Sequence, residues 1–238
     1  MNPKQPAGNK RSLPFIIIGA VLLAAVVATV LLFRANDTDS TVQETANISS
    51  QPVVKRQELP GAQPPQSKGA ASAPVVLEEF GDYQCPPCGL LHPVLKKIED
   101  DYGPRVRVVF RNLPLQSIHK NAFSAARAAE AAGVQNKFWQ MHDMIYENQK
   151  DWKDSPEPRP LFTNYASRLG LDVEKFKADM DKTEVGARIV ADLRRADSLG
   201  VKGTPTILLN GKELSAEQSL VEANLRGAID EALNGKSK

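Results

Sequence analysis

Phe80-Gly81-Asp82-Tyr83-Gln84-Cys85-Pro86-Pro87-Cys88-Gly89 is the stretch on which the fold turns, and it holds the only two cysteines in the chain. An apolar run, Val75 to Phe80, leads into it. Leu90-Leu91, Val94-Leu95 and Ile98 follow at helical spacing. A strand therefore runs into a short turn, and a helix begins at the cysteines. The first turn of a helix carries unpaired backbone N–H groups and the positive end of the macrodipole, which stabilise a thiolate. Cys85 at the cap is expected to be the exposed, nucleophilic sulfur, with Cys88 one turn in as its resolving partner. Pro86 suits a first helical position, and with Pro87 it leaves the loop little freedom.

Other uses of the pair compete with exchange between dithiol and disulfide. A structural staple gains little from so short a loop. A zinc site could take Cys85, Cys88 and His92, completed by His119 or His142, but there is no second cysteine pair. Covalent haem attachment needs a His after the second cysteine, where this chain has Gly89. Redox exchange is the favoured reading.

The segment Phe80 to Gly89 resembles the active-site segment of thioredoxin-fold proteins, in particular the DsbA-like thiol–disulfide oxidoreductases. Glu79, Pro93 and Thr204-Pro205 stand where that superfamily keeps a buried carboxylate, a helix-kinking proline and a cis-proline facing the cysteines. The resemblance runs from about Ala73 to Leu233. It implies that Glu79 faces inward and takes a proton from Cys88, while Glu78, on the opposite side of the strand, is solvated. It implies a cis Thr204–Pro205 bond that leaves the Thr204 backbone free to pair with a client strand. Tyr83 and Gln84, with Asp82, are expected to line the approach to Cys85. His92, His119 and His142 are read as packing residues. Trp139 and Trp152 are read as packing or as part of a substrate groove. No metal site is expected, and no cofactor beyond the Cys85–Cys88 pair.

The chain has 238 residues and a formal charge of +2. Setting aside Lys4, Lys10 and Arg11 leaves 27 basic and 28 acidic residues, a balance that gives no reason to expect nucleic-acid binding. Residues 13–33 carry no charged side chain; at ~1.5 Å per residue they reach ~31 Å, about one hydrocarbon thickness. This segment reads as an uncleaved transmembrane signal anchor, with a cleaved signal peptide as the rival. The basic residues before it place residues 1–12 in the cytoplasm and the body outside, where disulfides persist. Residues 34–72 read as a flexible polar tether, in which Gln51-Pro52-Val53-Val54 could add a short strand.

Residues 73–238 read as an α/β domain of thioredoxin-like fold. Its order is strand, active-site helix kinked at Pro93, strand over Arg105 to Arg111, helical insertion over about 117–199, strand, Asn210-Gly211 hairpin, strand and closing helix. The expected function is membrane-anchored, extracytoplasmic (periplasmic or extracellular) disulfide exchange with reduced or unfolded client proteins, most readily as an oxidase recycled by a quinone-linked membrane oxidase. The alternatives are a reductase or isomerase using the same pair, or a non-catalytic binding or chaperone module. Strongly oxidising members place His before the second cysteine; Pro87 here can supply no such charge, so weaker oxidising power is expected.

Overall fold

The computed structural model describes residues 57–235. The expected anchor at 13–33, the cytoplasmic segment before it and the Gln51 to Val54 stretch lie outside those residues. Among the described residues no helix is long and apolar enough to cross a membrane.

A five-stranded mixed sheet has the order β1-β3-β2-β4-β5. The strands are β1 (Gln66–Lys68), β2 (Val75–Gly81), β3 (Val106–Asn112), β4 (Thr206–Leu209) and β5 (Lys212–Glu213). β2 lies at the centre, parallel to β3 and antiparallel to β4. Its residues alternate between two covered faces. Val75 and Leu77 pack with Val106, Val108 and Ile207 beneath helix α1 (Pro86–Tyr102) and the closing helix (Glu222–Gly235). Phe80 and Leu208 pack on the other side against Ala196 of helix α7 (Thr183–Leu199). Because β2 and β3 are parallel, α1 is their crossover, and the cysteine turn falls at the carboxyl end of the central strand.

Helix α1 runs unbroken through Pro93. Asn210 and Gly211 both adopt positive φ, 50° and 83°, as a tight two-residue hairpin requires. Between β3 and β4 stand α2 (Ala122–Gly133), α3 (Phe138–Glu147), α4 (Gln149–Trp152), α5 (Arg159–Arg168), α6 (Val173–Asp181) and α7. The alanines of α2 let it approach closely, and Met141, Ile145, Trp152, Phe162 and Phe176 fill one core with them. Trp152 is fully buried and donates its indole N–H to the Ile145 carbonyl (2.8 Å).

Two expectations are corrected here. Residues 57–72 are not the end of a free tether. Leu59 N–H donates to Ser198 Oγ, Ala62 N–H donates to Asp192, and Gln66–Lys68 forms β1 antiparallel to β3. Arg111, Arg188 and Arg195 donate to the carbonyls of Ala62, Gln63 and Leu59 in turn. A segment whose composition suggested a coil thus supplies the backbone carbonyls that satisfy these arginines. The second correction is Glu78, which is buried rather than solvated. Alternation does send it away from Glu79, but α7 covers that face as well. Burial pushes its carboxyl up; Arg195 and Arg111, each at 2.7 Å, overcome that and hold it below its ordinary value.

Candidate active site

Cys85 is the N-cap residue of α1, in extended conformation, and its carbonyl accepts from Gly89 N–H (3.2 Å). The Cys85 thiol lies 3.4 Å from the Thr204 carbonyl, and the Thr204–Pro205 peptide bond is cis. Both cysteines are free thiols. Expected to be exposed, Cys85 is in fact 5 % exposed and Cys88 0 %. The 204–205 segment lies against the sulfur, and Gln149 clamps the turn by donating from Nε2 to the carbonyls of Tyr83 (2.7 Å) and Cys85 (2.9 Å). A side chain at Gly89 would meet the Gln149 amide at 2.9 Å, so glycine keeps that clamp close. Pro86, Pro87 and Leu90 are exposed beside the pair, so the site lies at the surface with narrow access to sulfur.

The two thiols are driven apart in acidity. A hydrogen bond from the Cys88 thiol is the main cause lowering Cys85 to about 6; burial opposes it, and contacts with the Thr204 side chain and Cys88 N–H assist. Burial pushes Cys88 well above the ordinary thiol value, and its bond to Cys85 and the nearby Glu79 push it the same way. One sulfur is a thiolate at neutral pH and the other a thiol, as a nucleophile with a resolving partner requires.

Glu79 is 3 % exposed and lies on the α1 face of β2. Burial, then the charges of Glu99 and Cys85, raise its carboxyl to about 8. It is therefore mostly protonated at pH 7. Asp82 is buried: its Oδ1 accepts from Gln84 N–H (2.7 Å), and its Oδ2 accepts from Leu115 N–H and meets His119 Nδ1 at 2.8 Å. Its negative charge works against the Cys85 thiolate. Asp82→Asn removes the charge and keeps one of the two acceptor oxygens, at the cost of the bond from either Gln84 N–H or Leu115 N–H. It should lower the Cys85 value by less than about one pH unit, read from thiolate absorbance against pH; an unchanged curve would show that the charge is not felt.

Tyr83 and Gln84 face inward instead of lining the approach. Tyr83 is 1 % exposed, with its hydroxyl 3.0 Å from His142 Nδ1. Gln84 donates to the Lys153 carbonyl and accepts from Asn121 N–H, tying the active turn to the helical insertion. Thr204 and Pro205 are half-buried and face the cysteine turn. His92 stacks on Tyr146 and stands 3.6 Å from Asp143. Among the described residues, the one group of three metal-binding side chains is His92, His142 and Asp143, with ligand atoms within 4.8 Å of one another. It includes neither cysteine, so the zinc arrangement weighed above does not assemble. Lys96 already holds Asp143 at 3.2 Å, and His142 is engaged by Tyr83. Gln149 and the Asp82–His119 pair were missed from sequence, because each joins residues brought together only by the fold.

Comparison with known proteins agrees with this geometry. The family described as Thioredoxin matches residues 63–231, and the chain belongs to it. A thioredoxin-like oxidoreductase from Silicibacter pomeroyi DSS-3 has 28 % identity and a TM-score of 0.60, with 71 % of this chain and 92 % of that one covered. BdbD from Bacillus subtilis, in its oxidised form, has 24 % identity and a TM-score of 0.64, with 75 % of this chain and 99 % of that one covered; at that identity the likeness shows the fold alone. Among curated proteins, residues of this chain are 38 % identical over 168 positions to the Na(+)/H(+) antiporter NhaA 1 of Salinispora arenicola, covering 71 % of this chain and 24 % of that protein. The chain spans about a quarter of the length of the curated relatives it matches.

Proposed function

We propose that the chain is a DsbA-like thiol–disulfide oxidoreductase acting as an oxidase of client proteins, held at the membrane by residues 13–33 with its domain outside. A client thiolate attacks Cys85 of the oxidised pair, and Cys88 leaves. Glu79 supplies the proton that Cys88 needs. A second client thiolate then displaces Cys85, which departs readily as a stabilised thiolate. The client gains a disulfide, the enzyme keeps two electrons, and a quinone-linked membrane oxidase removes them. Thr204, beside the cis-proline, offers backbone groups to an extended client. The observation that carries this reading is the helix-capping Cys85, lowered to about 6 and set against the Thr204 carbonyl. Ion transport belongs to the antiporters matched and is not proposed for this chain.

Direction depends on potential. The strongest oxidants have a cysteine near 3.5 and a potential of about −120 mV, and each pH unit of thiol acidity is worth about 30 mV. A Cys85 near 6 therefore predicts about −200 mV, between those oxidants and thioredoxin at about −270 mV. A glutathione redox titration of the full-length protein measures it. A value at or below about −250 mV would favour the reductase reading over the oxidase.

A further inference from the structure

His92 of α1 and His142 and Asp143 of α3 line one cavity of about 10 Å³. His92 is 5 % exposed and His142 4 %. His92 Nε2 and Asp143 Oδ1 are buried without a hydrogen-bond partner in the protein. They stand 3.6 Å apart, too far for a hydrogen bond with each other. Two ligands ~2.1 Å from a tetrahedral ion lie ~3.4 Å apart, close to the spacing these two atoms already have. Ligand atoms of all three side chains fall within 4.8 Å of one another. Closing on one ion then asks for side-chain shifts of about 1 Å. Glu79 lines the cavity as well, but its carboxyl is not among the three groups that converge.

The partners these side chains already have leave the inner atoms available. Lys96 Nζ meets Asp143 at Oδ2 (3.2 Å), not at Oδ1. The Tyr83 hydroxyl stands 3.0 Å from His142 Nδ1, where it takes that nitrogen's proton and leaves Nε2 for an ion. A metal-bound imidazole is ordinarily held this way through its other nitrogen. Burial keeps both rings neutral at pH 7, the form that offers a nitrogen lone pair. Around the cavity the carboxylates of Asp143, Glu99 and Glu147 outnumber the ammonium groups of Lys68 and Lys96, so the local field favours a cation. Asp143, partly exposed, gives the ion its way in. Two imidazoles with one carboxylate suit a divalent transition ion such as zinc, whereas calcium and magnesium take oxygen ligands.

We propose that His92, His142 and Asp143 form a binding site for one zinc-class divalent ion, separate from the two cysteines. The ion takes His92 Nε2, His142 Nε2 and Asp143 Oδ1, and water fills the fourth tetrahedral position. Lys96 stays on the outer carboxylate oxygen and Tyr83 on the outer ring nitrogen. One ligand comes from the helix that Cys85 caps and two from the helical insertion. The bound ion therefore fastens the active-site helix to the insertion, and it stabilises the folded protein because the unfolded chain does not assemble the site. The site is independent of the exchange reaction and does not rest on the reading of Glu79.

Equilibrium dialysis of Zn²⁺ against the oxidised, untagged full-length protein at pH 7 tests this, since the Cys85–Cys88 disulfide keeps both thiols from binding the metal. One ion per chain is expected, retained in excess Mg²⁺, and Co²⁺ in its place should give the visible absorption of a four-coordinate site. His92→Gln and Asp143→Asn should each weaken zinc binding by more than about 100-fold, beyond the ~10–100-fold cost of losing an outer partner. Tyr83→Phe, which removes only such a partner, should weaken it by about tenfold. Zinc should raise the thermal midpoint of the wild type and leave those of His92→Gln and Asp143→Asn unchanged. No zinc on the oxidised wild type would overturn the site. Equal binding by wild type and both ligand variants would place the ion elsewhere and overturn it too, as would wild-type affinity in either one. Should His92→Gln not fold by near-ultraviolet circular dichroism, Asp143→Asn at the partly exposed end decides the matter.

Discussion

Cys88→Ala is expected to turn the protein into a trap that accumulates mixed disulfides through Cys85, whereas Cys85→Ala should lose exchange altogether. The asymmetry follows from the acidity of the two sulfurs. With Cys85 at about 6, about nine-tenths of it is thiolate at pH 7. Cys88 lies above the ordinary thiol range and is 0 % exposed. Left alone it offers less than about a hundredth of the nucleophile, and no surface at which to use it. Exchange in Cys85→Ala should therefore fall by more than about 100-fold. In Cys88→Ala the hydrogen bond that contributes most to lowering Cys85 is gone, so its titration should move upward. A mixed disulfide once formed then has no internal thiol to release it. Non-reducing electrophoresis after exposure to oxidised client reads the trap, and the rate of alkylation by iodoacetamide against pH reads the titration. If reduced wild-type Cys85 resists alkylation, or alkylates with the pH profile of a free cysteine, the site cannot work as described.

What the sequence displays depends on how far apart the interacting residues lie. The Cys85 cap, the helix carried through Pro93 and the Asn210-Gly211 hairpin are set by neighbours a few positions away, and each is legible. The inward turn of Glu79 follows from strand alternation once its family spacing is noted. Glu78 misleads, because its fate is decided by Arg111 and Arg195, 33 and 117 residues away. A glutamate beside an apolar strand reads as solvated until those partners are placed. Residues 57–68 mislead for the same reason. They are polar and poor in periodicity, yet their carbonyls take the hydrogen bonds of three arginines. Tyr83 and Gln84 sit next to the nucleophile in sequence, and proximity suggests contact with a client. In the fold they point into the protein, because the turn is secured from within by His142, Asn121 and Lys153.

Glu79→Gln should make the folded protein more stable at pH 8 by on the order of 4 kcal/mol, even as it slows exchange. In the folded protein the carboxyl is raised from an ordinary value of 4.5 to about 8, chiefly by burial. Between those values the folded state holds a proton that the unfolded state has lost. The stability tied to this group is therefore complete below about pH 4.5 and is lost as pH rises through about 8. Glutamine keeps the shape and cannot ionise, so it escapes the loss. Other groups titrate nearby with the opposite slope. His92, lowered to about 4, adds stability as pH rises from 4 to 6.5. Cys85, lowered from 9 to about 6, does so between 6 and 9. Both are common to wild type and variant, so the difference between the two proteins isolates Glu79. That difference should widen by about 2 kcal/mol from pH 6.5 to pH 8, measured by urea unfolding of the reduced proteins across that range. A constant difference would mean that Glu79 does not titrate there, and its claim to be Cys88's proton donor near neutral pH would go with it. The same burial that destabilises the fold is what holds the carboxyl protonated at neutral pH, ready for a leaving thiolate. A stabler protein with slower exchange is thus the joint signature of a carboxyl kept for chemistry, and a purely structural Glu79 would not produce both.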